Sequence, residues 1–204
     1  MPKQRKGFMT LAEIDAELKA EGKWDAYVAR KREQEEALQR KEEEYERAEA
    51  PLVQELREVG VLVRSAWDLV NRPVRYYPDA LPILLSHLQR PYPDAIRDGI
   101  ARALAVREAK FAWSTLAGLY RTEEGRRTKD GLAVAIANIA DDETIDELIA
   151  LARDPQNGDS RVLLLFALER SRLPHARQAL IELGRDPVLE KEARIILRRL
   201  KRKK

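Results

Sequence analysis

The stretch that decides the fold is residues 79–105, DALPILLSHLQRPYPDAIRDGIARALA. Leu81, Leu84, Leu85 and Leu88 recur at steps of three and four, which places them on one side of a helix opened by Pro78 and Asp79. Pro91 and Pro93 cannot continue that helix, because proline lacks the backbone N–H and its ring clashes with the preceding turn, yet proline suits a helix start. Beyond them Ile96, Ile100, Ala103 and Leu104 make a second apolar stripe. The stretch therefore predicts two short amphipathic helices joined by a tight break, a hairpin too small to bury its own apolar face.

Steps of 32 residues from this hairpin return the same kind of side chain: Leu84, Leu116, Leu148, Leu180; Leu85, Ala117, Ile149, Ile181; Ile100, Leu132, Leu164, Ile196; Leu104, Ile136, Leu168, Leu200. Self-similarity at such a period marks a stack of supersecondary units that bury their faces against one another. In the second copy Phe111, Trp113, Leu116 and Leu119 precede a break at 123–127, followed by Leu132, Ala135, Ile136 and Ile139. The third has Ile145, Leu148, Ile149 and Leu151, the break 154–159, then Leu163, Leu164 and Leu168. The fourth has Ala176, Leu180, Ile181 and Leu183, the break 184–187, and a last helix from Leu189.

The quoted stretch resembles the HEAT family, bacterial HEAT-like repeats in particular. The resemblance rests on Asp94 in the break, three residues before the helix-opening Arg97, with cations at the matching places in later copies: Lys129, Arg161 and, one residue out of step, Arg194. The third copy approximates the pattern with Asp159, and the second lacks the aspartate. The resemblance covers about residues 78–200. It implies an all-α, right-handed α-solenoid of about four hairpins, in which the Asp/Arg pair belongs to the architecture.

Different material precedes the repeats. Thr10 and Glu13 fit a capping box, in which each side chain reaches a backbone donor near the other; that helix is expected to end near Gly22. A charged helix follows, RKREQEEALQRKEEEYERAE, dense in opposite charges three or four apart. Leu38, Tyr45, Leu52 and Val59 form one narrow seam, too sparse for a coiled coil, so a solvated helix is the preferred reading. Pro51 is expected to break or kink it. The organisation read from the sequence is a charged extension over 1–50, a degenerate capping pair over 51–77 and the repeats with a basic tail over 78–204.

Composition narrows the function classes. Apolar residues make up 44% and charged ones 36% of 204 residues, ample for a folded core, and the net charge of +3 does not by itself argue for nucleic acid. With no cysteine and only two histidines, a thiol nucleophile, a disulfide framework and a Cys- or His-rich metal site have no ligands to draw on. The first residues are basic without an apolar run, and no 18-residue apolar stretch occurs, so a cytoplasmic, non-membrane protein without cofactors is expected. No phosphate-loop, dinucleotide, nucleophile-elbow or zincin motif is present. His87 reads as a surface histidine and His175 as part of a helix start.

The resemblance implies that the second helix of each hairpin lines the concave side. With 96, 100 and 104 facing the core, three rows face outward: Asp98, Asp130, Val162, Arg194; Arg102, Val134, Phe166, Arg198; and Ala105, Ala137, Glu169, Lys201. Val134, Val162 and Phe166 would form an apolar centre, with Asp98, Arg102, Asp130, Arg170, Arg194 and Arg198 as its charged rim, the pattern of a protein-binding groove. The alternative is that Phe166 turns inward. Arg198, Arg199, Lys201, Arg202, Lys203 and Lys204 make a cationic tail that either caps the stack or contacts phosphates, and Lys3, Arg5 and Lys6 add a second basic patch.

The expected function is a non-catalytic scaffold or adaptor for a protein partner, a class that includes immunity-type partners of toxins. The rival is nucleic-acid binding through the basic end. Two HEAT-like enzyme types, bilin lyases and alkylpurine DNA glycosylases, keep catalysis open. The second needs an aspartate beside tryptophans and arginines, but Trp24 and Trp67 precede the repeats and Trp113 lies on a first helix.

Overall fold

The computed structural model describes residues 9–71 and 76–202, and among these the regular structure is entirely helical. The chain divides into two compact units, residues 1–47 and 48–204. The expected readings of Lys3, Arg5, Lys6, Lys203 and Lys204 lie outside the described residues.

In the first unit, α1 spans Leu11–Ala20 and opens on the expected capping box: the Glu13 N–H donates to Thr10 Oγ1 at 3.3 Å and the Thr10 N–H to Glu13 Oε2 at 2.7 Å. Gly22, at φ +68°, takes the left-handed conformation that ends the helix and lets the chain turn. The next helix, α2, spans Trp24–Glu58. Within the first unit its side chains are almost all exposed, Leu38 at 59%, as the solvated reading requires. The helix continues through Pro51 instead of ending there. Leu52 and Leu56, one turn apart and fully buried in the second unit, supply the packing that outweighs proline's cost of ~3 kcal/mol in a helix interior.

The second unit continues with α3 (Ala66–Asn71), whose first turn is held by Glu49: its buried carboxylate accepts the Ala66 N–H at 2.6 Å. Four helical hairpins follow, α4/α5 (Leu81–Leu88, Asp94–Ala103), α6/α7 (Trp113–Thr122, Arg126–Ile139), α8/α9 (Ile145–Arg153, Arg161–Arg170) and α10/α11 (Pro174–Leu183, Glu190–Arg202). Each first helix packs on its own second helix, and the second helices pack in chain order, α3 on α5, α5 on α7, α7 on α9 and α9 on α11.

The 32-residue rows become the core. Leu84, Leu116, Leu148 and Leu180 are fully buried, as are Ile100, Leu132, Leu164 and Ile196. The rows fray toward both ends: Leu85 is half-buried, Ile181 is 43% exposed and Leu200 is half-buried. Phe111 departs from its expected place. It lies in the 3₁₀ turn Arg107–Ala112 before α6 and is 59% exposed, while Tyr120 fills the core and its hydroxyl lies 2.8 Å from Ser160 Oγ.

Leu148→Ala should lower the free energy of unfolding by about 2–5 kcal/mol, whereas Leu38→Ala should change it by less than about 0.5 kcal/mol. Urea unfolding followed by circular dichroism checks both. Equal effects would contradict the assignment of the repeat core.

Candidate functional surface

The recurring cations tie the hairpins together. On α5, Arg97 Nε donates to the Leu88 carbonyl at the end of α4, and its Nη2 lies 2.7 Å from Glu123 Oε2 just after α6. On α7, Lys129 Nζ donates to the Glu123 carbonyl at 3.2 Å. On α9, Arg161 donates to the Gly158 carbonyl, to the Ala152 carbonyl near the end of α8, and to Asp186 Oδ2 at 2.7 Å in the next break. Each cation thus satisfies a carbonyl that a helix end leaves without a partner. Arg161 is buried, and Arg194 breaks the series by pairing with Glu190 on its own helix.

Asp94 makes the complementary contact. Its carboxylate accepts the backbone N–H groups of Arg127 and Thr128 and the Thr128 hydroxyl, capping α7 in the following hairpin. Burial alone would raise its pKa, but the Thr128 and Arg127 donors outweigh that and hold it below the ordinary aspartate value. Asp186 is lowered too, chiefly by its hydrogen bond to Arg161. Both contributions to stability are complete above the unfolded aspartate value of 3.8 and are lost as pH falls through the lower folded values. Asp186→Asn should therefore lower stability at pH 7 and shrink the loss seen between pH 4 and pH 2, as read by thermal unfolding across that range. An unchanged acid limb would contradict the role given to this carboxylate.

The predicted face is only partly open. Asp98 is buried and paired with Arg102 at 2.6 Å, because its row points toward the next hairpin: a Cβ on Gly131 of α7 would come within 2.6 Å of Asp98 Oδ1. Burial pushes the Asp98 pKa up despite Arg102. Asp130 and Val162 in the same row are half-buried, and Arg194 is exposed. Arg102 is half-buried: Trp67 of α3 packs against Gly99 and lies 6.0 Å from the Arg102 guanidinium, its indole N–H bonded to the Ala95 carbonyl. Sequence spacing gave no sign of Trp67 here, because α3 lies outside the 32-residue register.

From α7 onward the face opens. Val134 is half-buried and Phe166 is 39% exposed, so Phe166 does not turn inward. Beside the strip, a cleft of about 830 Å³ is lined by residues that include Lys129, Asp130, Gly158 and Val162. At the far end of the same helices a second cleft, of about 610 Å³, is lined by Arg107, Lys110, Asn138, Asp141 to Glu143, Arg170 and neighbours. Arg170 donates to the Ala137 and Asn138 carbonyls, and partial burial together with the Arg107 charge pushes its pKa down. On α11, Arg198 and Lys201 border a small cleft beside Ile181, Arg199 faces Glu169 at 3.4 Å, and Arg202 is exposed.

His175 lies in the first turn of α10, as expected, whereas His87 does not lie on the surface. His87 is fully buried, with Nδ1 2.7 Å from the Tyr92 hydroxyl and Nε2 3.0 Å from Glu55 Oε1, near enough for an ion pair but off the line of a hydrogen bond. Two polar partners make a core place tolerable for an imidazole: Tyr92, five residues on in the break, and Glu55, reached from α2 and outside the local sequence. His175 is half-exposed, 3.0 Å from Asp146. Among the described residues no cluster of three acidic or histidine side chains is placed to hold a metal ion, and no helix is long and apolar enough to cross a membrane.

No protein-family model matches the chain, nor does any curated protein or solved structure.

Proposed function

We propose that the protein is a non-catalytic scaffold: a right-handed α-solenoid of HEAT-like hairpins that holds a protein partner along the exposed strip of α7, α9 and α11. The observation that carries this reading is Phe166, an aromatic side chain 39% exposed on a well-packed helix, next to half-buried Val134 and Val162 and bordered by charge. An exposed aromatic amid aliphatic neighbours and a polar rim is the composition of an interface centre, where a few anchors supply most of the binding energy. Of the two carboxylates a glycosylase reading could use, Asp98 and Asp130, the first is buried under Gly131 and already paired, which leaves that reading only the half-buried Asp130. Nucleic-acid binding has less support, because Arg194 and Arg199 of the basic helix already face Glu190 and Glu169.

Phe166→Glu should leave stability within about 1 kcal/mol of wild type and weaken partner binding by about 30-fold or more. Affinity capture from nuclease-treated lysate, followed by titration of the recovered protein at two salt concentrations, reads this directly. Retention of nucleic acid alone, with steep salt dependence and no effect of the substitution, would overturn the proposal in favour of the basic end.

A further inference from the structure

The cleft lined by Arg107 and Arg170 brings two guanidinium groups together without an acid for either. Arg170 uses Nη2 on the Ala137 and Asn138 carbonyls, and among the described residues neither arginine has a carboxylate partner. Burial first, and the Arg107 charge second, push the Arg170 pKa down. The third cation of the cleft differs, because Lys110 is already neutralised by Asp141 and by Glu143, 2.7 Å away. Arg107 is exposed with its donors free of any side-chain partner among the described residues, and a guanidinium's fork of donors matches a carboxylate. Arg170 also lies one helical turn beyond Phe166 on α9, so the two project from the same side of that helix.

We propose, building on the scaffold reading, that this cleft takes an aspartate or glutamate side chain of the protein partner between Arg107 and Arg170 while an apolar side chain of the same segment covers Phe166. The occupant is a singly charged carboxylate of an acidic, apolar peptide segment. A phosphate group fits less well, since Asp141, Asp142 and Glu143 line the same cleft, balance its three cations and repel a dianion more strongly than a monoanion.

A library of random 12-residue peptides displayed on phage, selected against the full chain, tests this. Enriched peptides should pair Leu, Met or Phe with Asp or Glu about one helical turn away. A synthetic peptide of that sequence should lose about ten-fold in affinity for Arg107→Glu by fluorescence anisotropy. Arg107 is the residue to change because it is exposed and makes no side-chain hydrogen bond among the described residues, so its loss leaves the fold intact. The same peptide with its acid replaced by Asn or Gln should bind wild type and Arg107→Glu alike. Peptides that bind, fail on Phe166→Glu, yet need no acid and ignore Arg107→Glu would overturn the carboxylate site and leave the scaffold reading standing. Failure of every peptide class to bind wild type would overturn both.

Discussion

Arg161 sits almost fully enclosed between the end of α8, the 3₁₀ turn that follows it and the break of the fourth hairpin, bonded to two carbonyls and to Asp186. Taking a guanidinium out of water is expensive, and it is repaid only where its donors find acceptors with good geometry. Here the acceptors are groups that the fold would otherwise leave wanting, the terminal carbonyls of a short helix. One side chain therefore closes its own hairpin and fastens the next. Arg97 repeats the arrangement two hairpins earlier through Leu88 and Glu123, and Asp94 works in the same direction by capping α7 across the boundary between hairpins.

Short helices of eight to fourteen residues are marginal alone. Linked this way, each is stabilised by a neighbour, and the apolar rows fill the space between first and second helices. The arrangement consumes the inward faces and the helix ends but leaves the other side of α7, α9 and α11 free. That side carries the exposed Phe166, whose ring the packing of the hairpins does not use, and the proposed binding role rests on it.

Much of this was legible in the sequence, and the reasons it was or was not are physical. The rows through Leu84 and Ile100 give the hairpins because burial repeats at the helical period, and the cations at 97, 129 and 161 mark helix ends because an end needs a partner. What failed was whatever depends on contacts outside that register. Pro51 sits inside α2 because Leu52 and Leu56 bury beside it. His87 is interior because Glu55 reaches it from α2 and Tyr92 from the break. Asp98 is closed off by Gly131 and Arg102 is half-buried beside Trp67, contacts made by adjoining helices and invisible to a single-helix projection. The 32-residue register gave the buried rows and could not say which of the remaining positions would be open.

The central claim is that successive hairpins are coupled through these buried polar clasps, and native-state hydrogen exchange of Arg161→Met tests it most directly. The account predicts that amides of α10 and α11 exchange through a markedly lower opening free energy while those of α5 and α7 keep theirs, as expected when one link of a nearest-neighbour chain is cut. An equal loss of protection across all four hairpins, or none in the fourth, would contradict it.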